Sequence, residues 1–371
     1  MHALFLAAML SLATPGGDQT AAVPVPIPAR AHAAIEAAPP WAVMVMPPEL
    51  RQRVHEEVLS RPVPQRERLN QLLHFMLDVD ALGIVYDERA THSVAQTYAT
   101  RRANCLSFTL LFLAIARETG LEVHAQEIEN TLSWRQEDNT IYRNNNVNAR
   151  VSINGLQFVV DILGSNLIAG SQPVLISDQR LLSHYYNNLA MDELARENPA
   201  AGLRLMEDAL AADASYAPLW SNAGVLHVHS DDLAAAGVAY QKALELDPKE
   251  SGALINMVSL ARRLGDTRRE EEFRRRLVRV QQKDPLYQFM RGLDLERTGD
   301  YTRAIAHYRR AIRLYPSEHR FYSAQARAYL KAGNPKRAGN ALKRAQALTD
   351  GATRAAYQAQ LQELEQRRNN N

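Results

Sequence analysis

Two hydrophobic rhythms run along this chain. Before about residue 183 the apolar positions follow helical and strand periods, and beyond it small and aromatic residues return every 34 positions. The first rhythm predicts helices over 49–60, opened by Pro47-Pro48, and over 65–80, where Leu69, Leu72, Leu73, Phe75, Met76 and Leu77 keep a helical period. A short helix follows over 93–98 with Ser93 near its cap. Residues 105–119 are apolar nearly all round, which marks a buried helix, and Gly120 stands where a helix C′ residue belongs. A strand is expected over 123–129 and a polar loop over 130–145.

The next segment has the strand period. Val147, Ala149, Val151 and Ile153 alternate with Asn146, Asn148, Arg150 and Ser152, and Asn154-Gly155 is the favoured pair for a type I′ turn. That turn sets a register with Ile153 opposite Leu156, Ser152 opposite Gln157 and Asn148 opposite Asp161. Asn146 and Asp161 then share one face as diagonal neighbours. Arg150 is the other diagonal neighbour, and a surface ion pair with Asp161 is its expected role.

In the second rhythm Trp220, Gly224, Ala236, Tyr240, Ala243 and Pro248 fall at positions 4, 8, 20, 24, 27 and 32 of a tetratricopeptide repeat. Gly292, Gly299, Ala304, Tyr308, Ala311 and Pro316 repeat that frame, and Tyr322, Tyr329, Gly333, Ala338 and Ala345 supply a further copy. Residues 183–216 and 251–284 read as degenerate copies, the latter with about three extra residues before Pro285. The small residues let paired helices approach closely and the aromatics fill the gaps. A capping helix is expected over 353–366, ahead of a frayed tail. Eight arginines from Arg262 to Arg279 make one repeat basic, but Glu270, Glu271 and Glu272 interrupt them, which predicts a salt-bridged solvated face and no nucleic-acid site.

Composition narrows the function classes. Apolar content of 46%, charge of 23% and a net charge of +2 are ordinary for a globular chain and favour neither nucleic acid nor an acidic substrate. One cysteine excludes an internal disulfide and a thiolate zinc cluster. No stretch is long and apolar enough for a membrane helix, and nothing has metal-ligand spacing or a phosphate-binding loop, so no cofactor is implied. Leu4 to Ala13 has the length of an export-signal core, and residues 23–48, rich in Ala and Pro, read as an extended linker. A periplasmic or secreted location is therefore expected.

The candidate chemistry centres on that single cysteine. Cys105 opens a helix, where unpaired N–H groups and the helix dipole favour a thiolate. A working thiol site also needs an imidazole to move the proton and a carboxylate to hold the imidazole. The run Asn104-Cys105-Leu106-Ser107, with Ala116-Arg117, Gly120-Leu121, Trp134 and the 147–161 hairpin, resembles bacterial transglutaminase-like proteins of the papain-type cysteine superfamily. His184-Tyr185-Tyr186-Asn187-Asn188 resembles the junction into repeats in exported proteins with both domains. The resemblance implies Cys105 as nucleophile and Asp161 as orienting carboxylate, and it puts the family's histidine on Asn146. An amide cannot take a proton near neutral pH, so the site is a degenerate triad. His92 and His124 are the nearby alternatives, and strand alternation turns His124 away from Val123.

The expected architecture is an α+β transglutaminase-like domain over 49–182, behind a signal peptide over 1–22. An all-α repeat solenoid over 183–350 and a cap and tail over 351–371 follow. The expected function is a non-catalytic scaffold whose repeat groove binds a protein or peptide, with Asn222, Asn256 and Arg291 as groove-facing candidates. The alternative is an active cysteine peptidase or acyl transferase that uses Cys105, with the repeats presenting its substrate.

Overall fold

The computed structural model describes residues 4–5, 40–135, 140–162, 167–169 and 171–369. Most of the apolar leader and of the Ala/Pro-rich stretch lies outside the described residues. Contacts divide the chain into two compact units. One comprises Met1–Gln126, Val147–Ser165 and Leu175–Ala214; the other comprises Glu127–Asn146, Asn166–Val174 and Ser215–Asn371.

In the first unit the core begins earlier than the proline pattern implies. Pro40–Met44 is a 3-10 turn whose Val43 is buried, as is Met46, so residues 40–47 are packed and not linker. Pro48 opens the helix Pro48–Glu57, and Pro64 caps Gln65–Leu77, which buries Leu69, Leu72, Phe75 and Met76. Ser93 and Gln96 close a capping box on Val94–Thr100. Arg101, at φ 60°, ends that helix and turns the chain into a two-residue strand.

The strands are β1 (Leu4–Phe5), β2 (Val85–Tyr86), β3 (Arg102–Ala103), β4 (Glu122–Arg135), β5 (Thr140–Ile153), β6 (Leu156–Val160), β7 (Leu167–Ala169) and β8 (Val174–Ile176). β2 and β3 pair in parallel; the larger sheet runs β1-β6-β5-β4-β7, with β8 also on β4. β1 joins β6 in parallel through Leu4 and Phe5. The hairpin register is the expected one, from Ile153 opposite Leu156 to Ala149 opposite Val160, with Asn154 at φ 50° and Gly155 at φ 78°. The polar loop expected over 130–145 is instead mostly strand, in β4 and β5. Its backbone groups are satisfied by ladder pairing, including Thr131 opposite Ala169 and Ser133 opposite Leu167. Pairing of this kind needs no apolar alternation, which is why the pattern missed it.

The buried helix Cys105–Glu118 fills the unit's centre, and Gly120 follows its end at φ 75°. The helix pair Asp178–Ala195 and Pro199–Asp213 belongs to the same unit, and Arg117 reaches Asp178 with two hydrogen bonds of 2.8 Å.

In the second unit the 34-residue period is strict. First helices start at Ala217, Ser251, Pro285 and His319, and second helices at Leu233, Thr267, Tyr301 and Pro335. The three-residue insertion expected before Pro285 is therefore absent. Pro285 is the first residue of its helix, and the degenerate repeat instead has a longer second helix, Thr267–Gln282. Each pair turns at a left-handed residue (Asp231, Gly265, Gly299 or Gly333), followed by an Asx cap at Asp232, Asp266, Asp300 or Asn334. Helix approach is close: a Cβ on Gly224 would lie 2.3 Å from the Tyr240 ring, and one on Gly292 2.4 Å from Tyr308. Among the first helices, Ala217–His229 packs on Ser251–Arg263, and Pro285–Arg297 on His319–Lys331. Each second helix packs mainly on the first helix of its own pair and, less extensively, on the first helix that follows. The final helix, Gly351–Asn369, closes the solenoid and includes three residues expected in the tail.

Candidate functional site

The cysteine is positioned by a buried polar clamp. Asn104 caps the helix by accepting from the Ser107 N–H at 2.9 Å, and its Nδ2 donates to Thr91 Oγ1 at 2.9 Å. Ser107 Oγ donates to the Ala90 carbonyl and accepts from the His92 N–H at 2.7 Å. One turn along, Thr109 Oγ1 donates to the Cys105 carbonyl at 2.7 Å and lies 3.3 Å from the Val147 carbonyl. The helix start is thus tied to the loop before it and to β5.

The electrostatics oppose ionisation of the thiol. Burial is the largest influence on Cys105 and the Asp161 carboxylate the next, and both push its pKa well above the ordinary thiol value. Local backbone hydrogen bonding and a hydrogen bond with Tyr86 pull the other way and do not prevail. The structure therefore brings Cys105 and Asp161 together, but as a neutral thiol beside a carboxylate.

Asp161 is held by an amide: Asn148 Nδ2 donates to its Oδ2 at 3.1 Å. The expected ion pair with Arg150 is not formed, and the buried Arg150 Nε has no hydrogen-bond partner. Asn148 lies opposite the carboxylate by the hairpin register, so its amide is nearer than the diagonal guanidinium. Asn146 lies on β5, on the Asn148 face by alternation, and both are buried, at 3% and 2% exposure. Sequence reasoning missed Tyr86 altogether. The pairing of Tyr86 with Ala103 brings it to the cysteine, and two-residue strands leave no periodic signal.

Among the described residues neither spare histidine makes a hydrogen bond to this thiol. His92 Nδ1 lies 3.1 Å from the Arg102 carbonyl, which only accepts, so Nδ1 carries the proton. Burial lowers the His92 pKa, and the side chains acting on it are Asp87 and Arg102, not Cys105. His124 lies on the exposed face of β4 beside Glu122.

In the repeats, Asn222 and Asn256 occupy equivalent positions of successive first helices, and Asn256 Nδ2 approaches Ser221 Oγ of the preceding repeat at 3.5 Å. Arg291 falls one residue out of phase with them. Its equivalents are the buried Ala223 and Met257, and it pairs with Asp294 at 3.6 Å.

The tetratricopeptide repeat family matches residues 187–251 and 289–353, and the second-unit solenoid is built of such repeats. No curated protein matches the chain. Among solved structures, YrrB, a TPR protein with an unusual peptide-binding site, is 18% identical. The likeness covers 48% of this chain and 92% of that one, with a TM-score of 0.26. MamA (residues 41 to the end) from Desulfovibrio magneticus RS-1 is 16% identical over 46% of this chain and 96% of that one, with a TM-score of 0.26. These comparisons bear on the repeats; the transglutaminase-like reading rests on the residues around Cys105.

Proposed function

We propose that this chain is an exported scaffold that holds a protein or peptide along the first-helix row of its repeats. That row is fused to a transglutaminase-like domain without catalytic activity. The observation that supports the second part is the setting of Cys105, a half-buried thiol that desolvation and the Asp161 carboxylate push toward the protonated form, with no imidazole acting on it among the described residues. Asn146 occupies the strand position that the resemblance gives to the general base, and loss of such a base removes about 10²–10⁴ in rate. The repeats supply the binding role, since stacked first helices present a groove to extended or helical peptides.

The test is the rate of Cys105 alkylation against pH in the full chain. The scaffold reading expects a slow thiol with no inflection below pH ~8.5. An inflection near or below neutrality would restore the enzyme reading. Asn146→His is expected to bring the inflection down; an unchanged profile would separate Asn146 from the cysteine.

A further inference from the structure

The second helices of the last two repeats carry a feature that groove binding does not use. Tyr301–Leu314 and Pro335–Ala347 together hold eight Lys or Arg residues and no acidic residue. The cations recur in phase: Arg303, Arg309 and Arg310 are followed 34 residues later by Arg337, Lys343 and Arg344. All six are exposed. At 100° per residue they fall on one face of each helix, opposite the Ala304, Tyr308 and Ala311 face and the Ala338, Leu342 and Ala345 face that pack inward. Seven residues of helix span about 10.5 Å, so Arg303 and Arg310, and Arg337 and Lys343 with Arg344, line up along their helices at matching positions.

Part of this charge is committed, since Arg303 lies 3.4 Å from Asp300 and Arg309 donates to the Tyr329 hydroxyl, and the rest is not. Arg310, Arg313, Lys343 and Arg344 take part in no ion pair among the described residues. The preceding repeat carries Arg269, Arg275 and Arg276 in the same phase, but its helix also holds Glu270, Glu271 and Glu272, and there Arg275 pairs with Glu271 and Arg269 lies 3.9 Å from Asp266, as its sequence implied. One repeat earlier the equivalent positions are Ala235, Gln241 and Lys242. A basic face whose own helix carries no acidic residue is therefore confined to the last two repeats and is not an average property of a chain with net charge +2. Its field is felt nearby: after burial, Arg291, Arg310 and Arg303 help to push His307 below its ordinary pKa.

We propose that this face is a docking surface for an acidic polypeptide segment, separate from the first-helix groove. Carboxylates three, four and seven residues apart on a helix match the spacing of Arg303, Arg309, Arg310 and Arg313 along theirs, and arginine forks suit carboxylates. The face offers no exposed ring for base stacking. Tyr329 is buried beneath Arg309 and Arg337, with Arg309 Nη2 donating to its hydroxyl at 2.6 Å. Its exposed apolar content is slight, Leu314 being the one large apolar side chain of these two helices left exposed, which disfavours insertion into a lipid surface.

The experiment measures binding of a labelled glutamate-rich helical peptide, about two dozen residues long, to the full chain by fluorescence anisotropy. The chain is compared with Arg310→Glu/Arg344→Glu and with the charge-matched control Arg263→Glu/Arg297→Glu on first helices. Thermal denaturation of each variant confirms folding; the substituted positions are exposed, so unfolding is not expected. The proposal expects the first variant to bind about tenfold more weakly or worse and the control to change about twofold or less. Equal weakening in both variants would reduce the effect to net charge and overturn it. Absence of peptide binding, or tighter binding of duplex DNA or anionic phosphatidylglycerol vesicles, would overturn it as well.

Discussion

The repeats and the cysteine domain respond differently to departures from their patterns. In the solenoid, the ring positions filled by Tyr240 and Tyr308 hold Arg274 and Leu342 in the neighbouring repeats, yet every pair still forms. The left-handed turns and Asx caps persist in all of them, so local structure is set redundantly. Around Cys105 the clamp of Asn104, Thr91, Ser107 and Ala90 is complete, yet the proton chemistry hangs on one side chain. A repeated fold spreads its requirements over many positions, whereas a catalytic site concentrates them. One residue can therefore retire a site while the domain that holds it survives.

The largest effect should come from removing a ring where the repeat uses one. Tyr308 is fully buried, packs against Gly292 and Phe289, and donates to Glu296 Oε2 at 2.8 Å. Tyr308→Ala is expected to destabilise by about 3–5 kcal/mol in urea unfolding. At the equivalent position Arg274 is exposed and ion-paired, and Arg274→Ala should change stability by less than about 1 kcal/mol. Similar costs at the two positions would mean that the repeats do not tolerate divergence as the comparison requires.

A smaller effect tests the glycine facing that ring. Gly292→Ala places a methyl 2.4 Å from Tyr308 Cε1 in a packed interior, which should cost about 1–3 kcal/mol. The equivalent residue in the last repeat is Ala326, which faces Leu342 in place of a ring and has already accepted the methyl. Ala326→Gly should cost only about 0.5–1 kcal/mol, through backbone freedom. If Gly292→Ala were neutral, the glycine–tyrosine contact would not be the reason for the small residue.

How much of this was legible follows from where each signal lives. The hairpin register could be read because Asn154-Gly155 demands positive φ at two successive residues and the alternation around it is clean. The repeats could be read because their period returns several times, although the three residues assigned before Pro285 are no insertion and Arg291 falls one position from Asn222 and Asn256. The extended strands over 130–145 could not be read, since ladder hydrogen bonds leave no mark on side-chain polarity. Tyr86 and the Asn148 grip on Asp161 were hidden for a related reason. One depends on a two-residue parallel pairing, and the other on which of two neighbours is closer.

The finest test sits on the carboxylate. In a working triad the aspartate orients the histidine, and its loss slows the thiol. Here the Asp161 charge opposes the thiolate, so the expected sign is reversed. Asp161→Asn keeps the shape, removes the negative charge and should lower the thiol pKa. With the thiol protonated across the neutral range, its alkylation rate follows the thiolate fraction, and roughly a three- to tenfold gain at pH ~8 is expected. Burial is the larger influence and remains, so the variant should stay slower than a free cysteine. A slower reaction in Asp161→Asn would mean that the carboxylate still supports the thiol through a base, and the cysteine domain would then have to be classed with the active enzymes.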